Sequence, residues 1–274
     1  MLIQKSAFIY WARVWHKRLL RMGKWYFYPH QYALSKSVEL FPFRYIKHSS
    51  KLIKNYQDSP EYHRWQINKI TNLSIAVSKI NGVLIKPGQI FSFWRLVGRP
   101  TEKKGYLEGM ELHRGVARAG IAGGLCQLSN LLNWMTWHTP LEVIQRSTHS
   151  FDPFPDQGRV LPFGSGSAVF WNYVDLQIQN NTSQTFQILV WLTDHSLKGK
   201  IRGQNPKQWA YSVMEKEHFF IQHGSNWYRY NQIWRQVFQI QNEKRNLIRE
   251  EHLASNKSKV MYTPNVDLYK VRTD

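Results

Sequence analysis

An α+β fold is predicted for this chain, with helices concentrated in the N-terminal half and a cysteine-bearing helix packed on a mostly antiparallel sheet from the second half. Three observations predict it. Helical spacing of apolar residues recurs three times before residue 140, strand-like alternation dominates beyond it, and the alternating runs are joined by short polar turns of the hairpin kind. The 274 residues, 42% hydrophobic and 15% aromatic, supply ample material for a core. The pattern divides into a basic helical region over 1–65, a core domain over 66–200 and a β-rich extension with a polar tail over 201–274.

Residues 6–24 space Phe8, Trp11, Ala12, Trp15, Leu19 and Met22 as a helix does, and Arg13, Lys17, Arg18, Arg21 and Lys24 fill much of the remainder. This basic amphipathic pattern suits an anionic membrane surface, but packing on its own domain is the more general fate of such a helix. A second helix is expected over 66–80 (Ile67, Ile70, Leu73, Ile75, Val77, Ile80), closed by Asn81-Gly82. Next, VLIKPGQIFSFWRLVG turns at Pro87-Gly88 and alternates through Ile90, Phe91, Phe93 and Trp94, which predicts a strand or hairpin. Irregular, glycine-rich chain is expected from there to Gly124. Leu128, Leu131, Leu132 and Met135 share one face of a helix over 125–138, and Thr139-Pro140 stops it. LEVIQRSTHSF reads as extended, centred on Val143 and Ile144. Two later segments, VDLQIQNNTSQTFQILVWL and HFFIQHGSNWYRYNQIWRQVFQI, read as hairpins. A surface helix and a loose tail are expected over 242–274, where charged and polar residues predominate.

The 37 Lys and Arg against 18 Asp and Glu give a formal charge of +19, which favours anionic partners: acidic lipid, anionic wall polymers or nucleic acid. Nucleic acid ranks last, because no helix-turn-helix, RNP-like or zinc-finger pattern accompanies the charge. A single cysteine excludes an intramolecular disulfide and a zinc site of several thiolates, and neither a metal nor a cofactor is expected. The N-terminus lacks the uninterrupted apolar run of a secretory signal, and no stretch reaches the roughly 20 apolar residues of a membrane span. A cytoplasmic location is therefore expected, with peripheral attachment at the inner membrane face as its variant.

That cysteine, Cys126, follows glycines at 120, 123 and 124, which let the backbone turn sharply and place it in the first turn of the helix. Unpaired N–H groups and the helix dipole would there favour the thiolate, the reactive form, and could contribute to an oxyanion hole. A nucleophilic cysteine also needs an imidazole. His149, 23 residues on, is long enough removed for a helix, a turn and a return strand, and His113, ahead of the glycines, is the second choice. His138 stands at the far end of the same helix, roughly 18 Å away at about 1.5 Å per residue. The alternative is that Cys126 is a small apolar residue filling a core, as lone cysteines commonly are. Cys126, His113 and His149 could also meet at a metal, but their spacing is not that of a ligand set.

The segments INGVLIKPGQIFSFWRLVGRPTEKKGYLEG, GIAGGLCQLSNLLNW and LEVIQRSTHSFDPFPD, taken in order, resemble the VanW family from about Ile80 to Asp175. The resemblance implies an association with glycopeptide resistance and cell-wall metabolism. Larger exported proteins with such domains have been implicated in L,D-transpeptidation of peptidoglycan, with the domain's cysteine as nucleophile. Carried onto this chain, that implies Cys126 as nucleophile and His149 as base, in acyl transfer or hydrolysis on peptidoglycan stem peptides or precursors. Gln127, Gly124 and Ser129 would then position the oxyanion, and Asp152, Asn172 or Asp175 would orient the imidazole. Many relatives carry a Gly-x-Asp-Ala-Thr-Val stretch after the histidine, whereas this chain reads GSGSAV over 164–169, so an orienter supplied there is absent. The rival implication is a non-catalytic accessory module that binds anionic wall precursors or a membrane surface.

Overall fold

The computed structural model describes residues 2–53, 59–113, 115–153, 155–156, 160–265 and 270–272; the side chains of residues 2–7 and of His113 lie outside that description. Its fold is α+β. In chain order the elements are α1 (Leu2–Phe27), β1 (Phe43–Lys51), α2 (Pro60–Ile80), β2 (Val83–Ile85), β3 (Ile90–Ser92), α3 (Phe93–Val97), β4 (Glu108–His113), β5 (Val116–Ile121) and α4 (Cys126–Trp137). Beyond residue 140 the chain is β: β6 (Glu142–Gln145), β7 (Phe151–Asp152), β8 (Gln177–Gln179), β9 (Phe186–Leu192), β10 (Ser196–Gly203), β11 (Trp209–His223), β12 (Asn226–Gln241), β13 (Lys244–Val260) and β14 (Val271–Arg272).

A four-stranded antiparallel sheet, β1-β10-β9-β2, carries α2 and α4. Strict alternation along β10 buries Leu197 and Ile201 on one face, where they meet Leu73 and Ile80 of α2 and Leu128, Leu131, Leu132 and Met135 of α4 in one core. Gly199 lets α4 come close to β10: a Cβ there would stand 2.6 Å from Met135 Cε and 2.9 Å from Leu131 Cδ2. A three-stranded sheet (β3-β8-β6) and the β4–β5 pair flank this layer. A five-stranded sheet, β14-β11-β12-β13-β7, forms the C-terminal part, antiparallel except for the short outer pairings β11–β14 and β13–β7.

Five expectations are corrected. The segment VDLQIQNNTSQTFQILVWL is not a hairpin, because β8 pairs with β3 and β6 while β9 pairs with β10 and β2 in another sheet. Residues 93–97 form a helical turn, because Ser92 Oγ caps it by accepting from Arg95 N and Asp175 Oδ1 accepts from Trp94 N. Residues 108–113 and 116–121 pair as antiparallel strands, with six pairs from Glu108↔Ile121 to His113↔Val116. The surface helix expected after Asn242 is the 17-residue strand β13. Asn242 (φ 49°) and Glu243 (φ 65°) make a two-residue turn with both dihedrals positive, the hairpin geometry that matches strand twist. The charges of β13 then find cross-strand partners, Arg235 with Glu251 and Lys216 with Glu250. Packing inside the domain covers Val14 and Trp25 of α1 but leaves most of its apolar side chains exposed.

Candidate functional site

The approach to Cys126 is built by close backbone contact. Asn72 of α2 is fully buried; its Nδ2 donates to Leu107 O and Gly123 O (3.0 Å each), and its Oδ1 accepts from Leu107 N (2.8 Å). Gly109 of β4 and Gly123 touch backbone to backbone, so that a Cβ on Gly123 would lie 2.2 Å from Gly109 O. Gly124 sits at φ +93°, and a Cβ there would lie 2.2 Å from Lys69 Cγ. The chain leaves this knot through Leu125 and opens α4 at Cys126.

From Cys126 a polar stripe runs down α4 at positions 126, 129, 130 and 133, the spacing of one helical face. Each residue bonds the extended backbone of 165–169. Cys126 Sγ donates to Val169 O (3.8 Å), Ser129 Oγ to Ser167 O (2.6 Å) and Asn133 Nδ2 to Ser165 O (2.9 Å), while Asn130 Oδ1 accepts from Ser167 N (2.6 Å). Arg146 holds the other side of the segment through Gly164 O and Gly166 O. The GSGSAV stretch is thus a strap along α4, and its two glycines allow the approach: a Cβ on Gly166 would press on Asn130, and one on Gly164 on Asn256.

Electrostatics at the helix start run against the thiolate. Burial pushes the Cys126 thiol above its ordinary 9.0, and the Glu111 carboxylate on β4 acts in the same direction. The residue as a whole is nevertheless half-buried and stands outside the hydrophobic core. His149 lies beside β7. Its imidazole is held below the ordinary 6.5 by desolvation, so it is neutral at pH 7. The ring makes no hydrogen bond among the described residues; the backbone oxygen of His149 accepts from Ser258 Oγ (2.8 Å). His113, the second candidate base, lies outside the described side chains.

The remaining predicted site residues have partners of their own. Gln127 Nε2 donates to Ser50 Oγ (2.9 Å) and Lys51 O (2.7 Å), tethering α4 to β1. Ser129 belongs to the strap contact. Asp175, fully buried, accepts from Ser92 Oγ (2.6 Å), Trp94 N and Gln177 Nε2 and is held above the usual carboxylate range by desolvation. Asn172 Nδ2 donates to Arg18 O of α1 (3.3 Å). Asp152 pairs with Arg229, a guanidinium only 1% exposed between the rings of Phe163 and Phe220, which also holds Asp156. None of the three hydrogen-bonds the His149 ring.

Sequence reasoning missed Asn72, Asn130 and Asn133. The only signal for the two on α4 is that they share a face with Cys126, and their partners lie 37 and 32 residues further along. Among the described residues no cluster of three or more His, Cys, Asp or Glu side chains converges as a metal site would require.

Fold and site together define an α+β domain in which a lone cysteine opens a helix laid on an antiparallel sheet and strapped by an extended segment. The family model described as "VanW like protein" matches residues 68–202. The chain is 34% identical over 198 residues to the vancomycin B-type resistance protein VanW of Enterococcus faecalis, an overlap of 72% of this chain and 71% of that one. The chain belongs to the VanW family. It is also 30% identical over 118 residues to the uncharacterized protein YoaR of Bacillus subtilis, 43% of this chain and 37% of that one. No solved structure matches it.

Proposed function

We propose that this chain serves glycopeptide resistance by cysteine-dependent acyl transfer on peptidoglycan stem peptides or their precursors, with Cys126 as nucleophile and His149 as base. The observation that carries this reading is the position of Cys126. It is the first residue of α4 and half-buried, while Leu128, Leu131, Leu132 and Met135 of the same helix are sealed in the core. A raised thiol and a lowered imidazole make a neutral pair, not a preformed ion pair. In the proposed step His149 accepts the thiol proton as sulfur bonds to the carbonyl carbon. The imidazolium returns that proton to the departing amine as the C–N bond breaks, and a second amine or water then resolves the thioester. With the Gln127 amide engaged on β1, the oxyanion falls to backbone N–H groups at the start of α4.

One observation favours the rival reading, a non-catalytic module that binds wall precursors. The Sγ donates to Val169 O, and a buried thiol can do so for packing alone. Muropeptide substrate with an amine acceptor, followed by mass spectrometry, separates the two. Cys126→Ala is expected to abolish product, and His149→Gln to lower turnover about 10²–10⁴-fold. Wild-type turnover in Cys126→Ala would end the catalytic reading. Alkylation of Cys126 is expected to be slow at neutral pH and to accelerate only above the ordinary thiol value of 9.0.

A further inference from the structure

Helix α1 presents three faces. At about 100° per residue, Val14, Arg18, Arg21 and Trp25 share the first, which is the docked one. Val14 is fully buried and Trp25 7% exposed, and Arg18 Nε donates to Trp171 O (3.2 Å). Arg13, Lys17 and Lys24 form a narrow basic ridge beside it. The third face is an arc of about 80°. It carries Phe8, Trp11, Trp15, Leu19, Met22 and Tyr26, each between 50% and 79% exposed.

We propose that this face seats the protein on an anionic lipid bilayer, with α1 lying in the plane of the headgroups. So much contiguous apolar surface in water calls for a covering partner. Charge chooses among the candidates: α1 carries six Lys and Arg and no Asp or Glu, in a chain of net charge +19. A second copy would bring together two basic helices with no acid on either, at a cost in repulsion. An anionic bilayer offers negative headgroups to the ridge and hydrocarbon to the stripe, and the Trp and Tyr rings suit the boundary between them. Among the described residues no helix is long and apolar enough to cross, so α1 rests on the surface. The inference is independent of any chemistry at Cys126.

The test is flotation of the full chain with phosphatidylcholine vesicles and with vesicles of equal parts phosphatidylcholine and phosphatidylglycerol. The protein is expected to float with the anionic vesicles and stay behind with the neutral ones. Trp15→Glu with Leu19→Glu should reduce partitioning at least about tenfold. Arg13→Glu with Lys24→Glu should reduce it and blunt its salt dependence. Trp15→Ser with Leu19→Ser repeats the first experiment with a milder change, and an unaltered thermal transition shows that the fold survives. Wild type that stays behind with anionic vesicles, or a stripe variant that floats as well as wild type, overturns the proposal. So does a concentration-dependent dimer that needs Trp15 and Leu19 and binds no vesicles, which would make a second copy the occupant.

Discussion

Helix α4 buries Leu128, Leu131, Leu132 and Met135 to 2% exposure or less, whereas α1 leaves Phe8, Trp15 and Leu19 more than half exposed. Both carry apolar side chains at helical spacing, and the difference lies in what faces them. Beneath α4 lies β10, where Gly199 opens room for Leu131 and Met135. Beneath α1, Trp171, Asn172, Gln145 and Arg95 meet Arg18, Arg21 and Trp25, all on its one docked face. The polar sides differ as sharply: Ser129 and Asn133 of α4 are fully buried against the strap, and Arg13 and Lys24 of α1 stand in water. Periodicity identifies an apolar face, and the tertiary partner decides whether it becomes core.

Four measurements would break or sharpen this contrast. Leu128→Ala removes a fully buried side chain and should destabilise the fold by about 2–5 kcal/mol, read from a urea midpoint. Loss of less than about 1 kcal/mol would mean that α4 is not a core helix. Ser129→Ala should cost about 1–3 kcal/mol, because Ser167 O loses its buried donor. A smaller effect is expected from pH. His138 closes α4, and burial holds its imidazole below the ordinary 6.5, as it does that of His48, whose ring stands near it. The unfolded chain takes up these protons at about 6.5 and the folded chain only at lower pH. Stability is therefore intact above 6.5 and drains away as pH falls through the lower folded values. In His138→Gln the urea midpoint should vary less with pH, and an unchanged profile would remove His138 from this account. Smallest of all, Leu19→Ala on α1 should leave stability within about 0.5 kcal/mol of wild type.

Features set by neighbours in sequence were legible: the span of α4, its apolar face, its stop before Pro140 and the placing of Cys126 in its first turn. Features set by distant partners were not. The α3 turn depends on Asp175, 83 residues from the Ser92 that it bonds. The strap against α4 joins Ser129 to Ser167 across 38 residues, and nothing local to either marks the pairing. Charged and polar composition alone does not separate a surface helix from the exposed strand β13. Two positive dihedrals at Asn242 and Glu243 decide between them by returning the chain along β12. The positive end of a helix and a ring of glycines suggested a lowered thiol, but desolvation, which depends on the packed surroundings, acts more strongly.

The turn at Asn242–Glu243 also keeps count for the rest of the molecule. From Gln241↔Lys244 at the tip, the ladder runs about 40 Å, at 3.3–3.4 Å per residue, to Asn231↔Asn256 and Arg229↔Ser258 at the base. There Asn256 accepts from Arg146, which grips the strap, and Ser258 donates to the backbone of His149. The ladder passes two register shifts on the way, at Ile233/Trp234 and Val237/Phe238, and a residue inserted at the tip that neither shift absorbs would turn Asn256 and Ser258 to the opposite face. The surroundings of His149 and of the strap are in this sense metered from two solvent-exposed residues at the far end of a ribbon.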